Sequence, residues 1–336
     1  MTAKSSGWPE RLVVLGGGLW GSVLAQQLAQ ARPRRRVVLW EFVEPLARGL
    51  QTTRRHPHIP GFRLDPSIEV THELPRALAG AELLVVVLPS TFVRSTAQAA
   101  ARVLGGARPL VVNASKGIEP RTLRTMGEIL AEELAAPAVY TLSGPSFARE
   151  VARGVPTKVV LAGPAGPRTD ALRRLFHGGA LSVVGSADRK GVELGGSLKN
   201  VLAIGAGILD GLKAGHNTRA ALLTEGMAEM SRLISRCGGK AETIYGLAGL
   251  GDLLLTSTSG ESRNHTFGEK LGSGMTPEQA KRAIPTVVEG AEAAASARAL
   301  ARRLRVRVPV IEAVDDIVHR GRPASLVLKA LGFRDF

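Results

Sequence analysis

A glycine-rich stretch near the N-terminus decides the fold: Leu12-Val13-Val14-Leu15-Gly16-Gly17-Gly18-Leu19-Trp20-Gly21. Its first four residues have the length and branching of a β-strand, and a helical pattern follows from Ser22 to Gln30. A G-x-G-x-x-G loop between a strand and a helix is typical of sites that bind the pyrophosphate of a dinucleotide. The flanking elements carry this prediction, because glycine patterns alone also occur in ordinary turns.

Each glycine of the loop serves the predicted site in a different way. Gly16 permits the tight turn, Gly18 lets the backbone approach a pyrophosphate, and Gly21 lets the helix pack on the strand. The N-terminus of the helix then offers unpaired N–H groups to the anion. We therefore predict that the loop binds NAD or NADP.

The choice between NAD and NADP depends on the end of the second strand. Glu41 lies twenty residues beyond Gly21, where dinucleotide-binding folds place an acid against the adenosine ribose. A carboxylate there would accept from the ribose hydroxyls and repel a 2′-phosphate, unless it is simply an exposed glutamate. Basic residues nearby favour the phosphate instead: Arg36, Arg48, Arg54 and Arg55. The preference stays open, with a slight lean to NAD.

Short apolar runs alternate with helical stretches through the first half of the chain. The predicted strands are Leu12–Leu15, Val37–Trp40, Leu83–Leu88, Leu110–Asn113, Ala138–Leu142 and Thr157–Ala162. After about Asp188 only helical patterns are found, at Lys190–Leu209, Thr218–Arg236, Pro277–Ala283 and Glu289–Arg303. We predict a Rossmann-like, doubly wound parallel α/β sheet at residues 1–189 and an all-helical substrate-binding and catalytic domain at 190–336.

Composition agrees with a globular protein of a reducing compartment. The chain has 336 residues, of which 44% are hydrophobic, and a single cysteine, Cys237. Its formal net charge of +15 favours anionic ligands in general. The run Arg32-Pro33-Arg34-Arg35-Arg36 has no interleaved aromatic residue, so we interpret it as a solvated turn and predict no nucleic-acid partner.

The remaining patterns narrow the class of protein further. No uninterrupted apolar stretch reaches membrane-spanning length, and no signal peptide is recognisable, so we predict a soluble, cytoplasmic protein. The seven histidines lack metal-ligand spacing, and His56-Pro57-His58 is typical of a loop, so no metal site is predicted. Ser143-Gly144-Pro145-Ser146 lacks the surroundings of a nucleophilic serine and favours a hydroxyl that lines a substrate pocket.

Two lysines occupy positions that solvation does not explain. Lys116 follows the strand Leu110–Asn113, at the carboxyl end of the predicted sheet, where open α/β folds bind ligands. Lys199 lies in a helical stretch made otherwise of small and apolar residues, where a charge is costly unless it is used. Burial would bring its pKa toward neutrality, and carbonyl reduction needs a proton donor at the oxygen. We predict that Lys199 is the acid–base group.

Anion-binding groups follow further along the chain. Asp252 lies in a glycine-flanked turn, and Glu261-Ser262-Arg263-Asn264 opens a helical pattern. The planar fork of Arg263 suits a phosphate, with Asn264 and the N-terminal amides of the helix as helpers. The conjunction of Asp252 and Arg263 with the two lysines predicts a site for a phosphorylated carbonyl substrate.

Several blocks together resemble those of bacterial NAD(P)-dependent glycerol-3-phosphate dehydrogenases, in order and spacing. They are Gly16–Gly21, Val85-Val86-Val87 with Pro89-Ser90, Ser115-Lys116-Gly117, Ser143-Gly144-Pro145-Ser146-Phe147-Ala148, Leu198-Lys199-Asn200-Val201, Gly249-Leu250-Gly251-Asp252, Ser262-Arg263-Asn264 and Val287-Val288-Glu289-Gly290. The resemblance implies reversible reduction of dihydroxyacetone phosphate to sn-glycerol 3-phosphate for glycerophospholipid synthesis. It also implies a cytosolic homodimer without membrane insertion.

The resemblance implies roles for individual residues as well. Lys199 would accept the proton in the oxidative direction. Glycerol phosphate would be surrounded by Lys116, Gly144, Ser146, Lys199, Asp252, Ser262, Arg263 and Asn264. The dinucleotide would be contacted by Leu19, Trp20, Phe42, Lys116, Ala148, Arg263, Val287 and Glu289. The chain departs from the usual bacterial pattern at Leu19, where serine is common, and at Glu41 and Phe42, where glycine and histidine are frequent.

Two other functions stay open at this stage. A dehydrogenase of a 2-oxo acid such as ketopantoate, or of a β-hydroxy acid, would share the first domain and a catalytic lysine. It would need a clamp for a carboxylate instead of the phosphate pocket around Arg263. A non-catalytic dinucleotide sensor would keep the glycines but would not need Lys199 or Asp252.

Overall fold

The computed structural model describes residues 8–31, 35–284 and 287–333. Eight strands are present within these ranges: β1 (Arg11–Leu15), β2 (Arg36–Trp40), β3 (Glu69–Thr71), β4 (Leu83–Val86), β5 (Leu110–Asn113), β6 (Val139–Ser143), β7 (Thr157–Ala162) and β8 (Leu181–Ser186). They form one sheet in the order β3-β2-β1-β4-β5-β6-β7-β8. The pairs β1–β2, β1–β4, β2–β3, β4–β5, β5–β6 and β7–β8 are parallel. This is the doubly wound order, which confirms the predicted fold class.

Helices connect the strands and then make up the rest of the chain. The first seven are α1 (Leu19–Gln30), α2 (Glu44–Thr53), α3 (Leu74–Leu78), α4 (Ser90–Leu104), α5 (Met126–Glu133), α6 (Ala148–Ala152) and α7 (Pro167–Phe176). The next eight are α8 (Arg189–Gly211), α9 (Gly215–Arg236), α10 (Asp252–Thr258), α11 (Arg263–Gly272), α12 (Pro277–Arg282), α13 (Glu289–Leu304), α14 (Pro309–Arg320) and α15 (Leu326–Ala330). A 3₁₀ turn (Ala241–Tyr245) and a π turn (Leu247–Gly251) precede α10.

Differences from the predicted elements have local causes. The strand expected to reach Leu88 ends at Val86, because the Leu88 N–H donates to the Ser115 hydroxyl (2.8 Å) instead of continuing the ladder. Strands β3 and β8 were not predicted, since β3 has only three residues and β8 contains two serines and a glycine. The basic turn predicted at Arg32-Pro33-Arg34 lies outside the described residues.

The described chain divides into two compact units. The first comprises residues up to Ser115, 127–142 and 146–187, and the second comprises 116–126, 143–145 and the chain from Asp188 onward. Residues 116–126 and 143–145 thus precede Asp188 in the chain but belong to the second unit. A single boundary in the sequence cannot describe this division. The division at residues 1–189 and 190–336 stays a prediction.

Helix α8 is the core element of the second unit. It is the one helix among the described residues that is long and apolar enough to cross a membrane, and all of its most apolar stretch is buried inside the fold. Two glycines on α8, Gly207 and Gly211, face two on α11, Gly268 and Gly272. A Cβ on Gly207 would lie 2.0 Å from a backbone oxygen of α11, so the two helices touch along their backbones. This close packing fixes α11, and with it Arg263, relative to Lys199.

Candidate active site

The glycine loop of the first unit has a shape that requires glycine at positions 16 and 21. Gly16 adopts φ +114°, and its N–H donates to the Trp40 carbonyl (2.9 Å). A Cβ on Gly21 would lie 1.8 Å from the Gly16 oxygen, whereas a Cβ on Gly18 would meet nothing within 4 Å. Gly18 is exposed and caps the start of α1. The open space at Gly18, next to free amides of the helix N-terminus, fits a dinucleotide pyrophosphate.

Glu41 is neither exposed nor free. Its side chain is buried, Oε2 accepts from the Gly17 N–H (2.7 Å), and Oε1 accepts from the Val43 N–H (2.8 Å). The alternative of an exposed glutamate is therefore wrong. The carboxylate joins the glycine loop to the end of β2, and a contact with the ribose stays a prediction. Phe42 is 77% exposed and stands edge-on to Trp40.

Three of the four arginines considered as ligands of a 2′-phosphate either lie away from Glu41 or have other partners. Arg36 begins β2, so about 15 Å of strand separates it from Glu41 at the other end. Arg48 pairs with Glu44 (2.5 Å), and Arg54 Nη1 donates to the Ile68 carbonyl (2.6 Å). Arg36 is thus excluded as a 2′-phosphate ligand at this strand end, and Arg48 and Arg54 already have partners within the unit.

Three charged side chains meet in the second unit. Lys116 Nζ lies 2.5 Å from Asp252 Oδ2, and Lys199 Nζ lies 2.9 Å from Asp252 Oδ1. Lys199 and Asp252 are buried, and Lys116 is partly exposed. We call these residues, with Thr256, the lysine–aspartate cluster. The structure brings together Lys116, Lys199 and Asp252 as the sequence predicts.

Thr256 is a member of the cluster that sequence reasoning missed. Lys199 Nζ donates to Thr256 Oγ1 (2.5 Å), and the Thr256 hydroxyl donates to the Asp252 carbonyl (2.6 Å). Thr256 lies one helical turn after Asp252 on α10, so this spacing was the available signal. The hydroxyl and the carboxylate together fix the direction of the Lys199 ammonium.

Burial and neighbouring charges set the protonation of the cluster. Burial lowers the pKa of Lys199 to about 8, helped by Lys116 and opposed by Asp252. Burial alone would raise the pKa of Asp252, but the two lysines hold it below its ordinary value. The cluster is therefore a stable carboxylate beside an ammonium that can release its proton near neutral pH.

Glu289 lies within electrostatic range of the cluster, and Arg263 lies within electrostatic range of Glu289. Burial raises the pKa of Glu289, and Arg263, Lys116 and Lys199 oppose that rise. Arg263 is exposed at the first position of α11, so its guanidinium is accessible to a ligand. Val287, two residues before Glu289, is also exposed.

The side chains of Ser262 and Asn264 form hydrogen bonds within the second unit. The Ser262 hydroxyl accepts from the His265 N–H (3.2 Å) and caps α11. Asn264 Nδ2 donates to Asn200 Oδ1 (2.9 Å), and its Oδ1 accepts from the Gly290 N–H (2.9 Å). One Asn264 donor hydrogen is left for a substrate. Asn200, the neighbour of Lys199, is a second residue that sequence reasoning did not assign.

The serine–glycine segment after β6 is divided between the units. Gly144 belongs to the second unit and adopts φ +134°, while Ser146 and Ala148 belong to the first. Ser143 Oγ is buried without a hydrogen-bond partner, and a Cβ on Gly196 would lie 2.9 Å from it and 3.7 Å from Lys116. Ser143 thus lies beside the cluster, although the sequence pointed to its neighbours.

The described residues contain no cluster of three or more side chains able to hold a metal ion. His56 is buried, and its Nδ1 accepts from the His58 N–H (3.2 Å), which is the hydrogen bonding of a compact loop.

In the first unit, Leu19 and Trp20 pack at the margin of the core.

A dinucleotide loop on a doubly wound sheet and a buried lysine whose pKa is lowered to about 8 are typical of the class of NAD(P)-dependent dehydrogenases. Residues 11–166 match the model of the NAD-dependent glycerol-3-phosphate dehydrogenase N-terminus, and residues 188–329 match that of its C-terminus. The chain belongs to the NAD-dependent glycerol-3-phosphate dehydrogenase family.

Individual relatives agree with this assignment. Glycerol-3-phosphate dehydrogenase (NAD(P)+) of Geobacter sulfurreducens is 44% identical over 332 residues, which cover 97% of this chain and 98% of that protein. The crystal structure of glycerol-3-phosphate dehydrogenase from Coxiella burnetii is 35% identical, with a TM-score of 0.91 over 97% of this chain and 99% of that one. A ketopantoate reductase from Ralstonia eutropha, 16% identical with a TM-score of 0.64 over 95% of this chain and 99% of that one, shares the fold.

Proposed function

We propose that the protein catalyses the reversible reduction of dihydroxyacetone phosphate to sn-glycerol 3-phosphate with NADH or NADPH. The observation that carries this proposal is the lysine–aspartate cluster, in which Asp252 holds two lysines and burial lowers the pKa of Lys199 to about 8. Full-length relatives that bear this activity in their names support the substrate.

Lys199 is the proton donor in reduction. The dinucleotide, when bound, supplies the hydride that adds to the carbonyl carbon. Lys199 Nζ gives its proton to the carbonyl oxygen, which becomes the new hydroxyl, and in oxidation the neutral amine takes that proton back. Because the pKa of Lys199 is about 8, its amine is mostly protonated at neutral pH and can still release the proton at a small cost in free energy. Asp252 and Thr256 orient the ammonium, and Lys116 adds positive charge where the oxygen becomes negative.

The substrate phosphate would be held at the start of α11. Arg263 is exposed there and presents a planar fork that matches phosphate oxygens, next to the unpaired amides of the helix N-terminus. The remaining Asn264 hydrogen, the capped Ser262 and the Gly144–Ser146 segment are assigned to the same substrate on the family pattern. Leu19, Trp20, Phe42, Ala148, Val287 and Glu289 are assigned to the dinucleotide on the same basis.

The wider setting belongs to the proposal as well. An enzyme that makes sn-glycerol 3-phosphate supplies the backbone of glycerophospholipids. We expect a cytoplasmic homodimer, in keeping with the single thiol of the chain, Cys237.

A direct assay tests the proposal. Oxidation of NADH and of NADPH is followed by absorbance with dihydroxyacetone phosphate, with ketopantoate and without substrate. We expect turnover with dihydroxyacetone phosphate and at least about a hundredfold lower kcat/KM with ketopantoate, which lacks the phosphate. Faster turnover of ketopantoate would assign the site to 2-oxo acids.

A further inference from the structure

A cleft of about 730 Å³ opens on the second unit, at residues that the candidate active site does not use. It lies between the C-terminal half of α9 and the segment 305–309 that joins α13 to α14. Its charged lining residues are Arg232, Arg236, Arg305, Arg307 and Glu225. The four arginines thus face a single acidic residue among the described lining residues.

Hydrogen bonds hold the two walls of the cleft together. Arg232 Nη2 donates to the Arg307 carbonyl (3.2 Å). Glu229, buried one turn before Arg232 on the neighbouring side of α9, accepts from the N–H groups of Val310 (2.7 Å) and Ile311 (3.0 Å). Three hydrogen bonds therefore hold α9 to the segment 305–309 and the start of α14, so the cleft exists before a ligand arrives.

The arginines of this cleft differ from others in the same unit. Arg219 pairs with Asp210 (2.8 Å), and Arg298 pairs with Asp315 (3.0 Å). By contrast, none of the four cleft arginines forms an ion pair with a carboxylate of the described chain. All four arginines are exposed, so solvent screens their mutual repulsion, and a bound anion would be attracted to all of them.

The lining also limits the chemistry of the ligand. Guanidinium groups present paired donors that match phosphate oxygens, and several arginines around one space favour an anion with more than one negative charge. The volume is in the range of metabolite sites, and two of the nine lining residues, Val306 and Pro309, are apolar. We infer that this cleft binds a soluble anion that carries several phosphate charges, at a site separate from the one where the reaction takes place.

Inorganic pyrophosphate is the probe for this site. The protein is first saturated with NADH and sn-glycerol 3-phosphate, which occupy the proposed active site and cannot react because both are reduced. Pyrophosphate is then titrated in by calorimetry at low ionic strength. We expect one further equivalent to bind, with an affinity that falls as sodium chloride is added.

The variant R236Q/R307Q removes two of the charges and leaves the bond from Arg232 to the Arg307 backbone in place. We expect its dissociation constant for pyrophosphate to rise about a hundredfold, at about tenfold or 1.4 kcal/mol for each arginine. The matched control, R102Q/R108Q, removes two exposed arginines of the first unit and should bind as the wild type does. Both variants should keep the wild-type rate of dihydroxyacetone phosphate reduction.

Two results would overturn the inference. The first is the absence of a further equivalent of pyrophosphate in the wild type. If the wild type then cosediments with phosphatidylglycerol vesicles but not with pure phosphatidylcholine ones, and R236Q/R307Q does not, the cleft binds a membrane instead. The second is equal affinity in R236Q/R307Q and R102Q/R108Q. If the protein does not catalyse the proposed reaction, NADH and sn-glycerol 3-phosphate leave the active site unblocked, and pyrophosphate then binds there in R236Q/R307Q as well. That result distinguishes a failure of the proposed function from a failure of the inference about the cleft.

Discussion

The glycine loop and the lysine–aspartate cluster reach their geometry by opposite routes. The loop is one continuous stretch, Gly16 to Gly21, and it offers backbone N–H groups whose positions depend on missing side chains. The cluster joins Lys116, Lys199 and the pair Asp252 and Thr256 from three distant segments, and its function depends on side-chain charge. The loop should therefore be sensitive to added atoms and the cluster to altered charge.

The largest effect should follow the loss of the Lys199 amine. K199A should lower kcat by about 10²- to 10⁴-fold, because a positioned acid–base group supplies a factor of that size. The dissociation constant for NADH, measured by calorimetry, should change little if the loop and the cluster act separately. K329A, which removes an exposed lysine of α15, is the control and should retain full activity. Nearly normal kcat in folded K199A would reassign the lysine to structure.

A smaller loss should follow the removal of Arg263. R263A should lower kcat/KM for dihydroxyacetone phosphate by about ten- to a hundredfold, since each charge-assisted bond to phosphate contributes roughly 1.5 to 3 kcal/mol. R263K should recover only part of it, because lysine offers a point charge instead of a fork.

Unphosphorylated dihydroxyacetone provides the control for Arg263. At saturating cofactor, wild type and R263A should reduce it at the same low rate, because it has no phosphate to bind. An equal loss with both substrates would mean that Arg263 organises the fold or the cofactor, with the phosphate site elsewhere.

The same contrast explains what the sequence could predict. Gly16, Gly18 and Gly21 could be assigned from spacing, because the loop geometry is local: backbone contacts require glycine at 16 and 21, and Gly18 leaves open space. Lys199 could be found because a charge stood out in an apolar helix. Thr256 offered only its spacing from Asp252, a weak signal because a threonine in a helix has many ordinary uses, and its contact with Lys199 comes from tertiary packing. Asn200 could not be predicted, because its partner Asn264 also comes from tertiary packing.

Glu41 shows the limit of a positional rule. The spacing from Gly21 predicts that Glu41 contacts the ribose, but the direction of a side chain depends on which hydrogen-bond donors are within reach. The N–H groups of Gly17 and Val43 are adjacent, and both carboxylate oxygens accept from them. The backbone N–H groups of Gly17 and Val43 thus bind the carboxylate that the sequence pattern assigned to the ribose.

E41Q tests this structural role of the carboxylate. Glutamine can accept from one of the two N–H groups but turns its amide hydrogens toward the other, so the glycine loop loses support. We expect about tenfold weaker binding of both NADH and NADPH and a free energy of unfolding lower by about 1 to 3 kcal/mol without cofactor. Calorimetry and thermal unfolding check this.

The ratio of the two affinities is the decisive quantity for Glu41. E44Q removes a neighbouring, partly exposed carboxylate and serves as the charge-matched control. If E41Q strongly favours NADPH while its unfolding is unchanged, Glu41 contacts the ribose and the loop-supporting role is wrong.

The smallest predicted effect concerns the pKa of Lys199 and the contribution of Thr256 to it. In the direction of reduction, kcat should fall as pH rises through about 8, because burial places the pKa of Lys199 there and only the ammonium donates. The Thr256 hydroxyl accepts from that ammonium and so favours the charged form. T256V removes the acceptor, and we expect kcat to drop about fivefold, for a bond of about 1 kcal/mol, with the alkaline decline moved to lower pH. In the oxidative direction the rise of kcat with pH should move the same way, because the neutral amine forms earlier. T256S keeps the hydroxyl and should restore the wild-type profile. A fivefold loss in T256V with an unmoved profile would show that Thr256 supports α10 and does not tune Lys199.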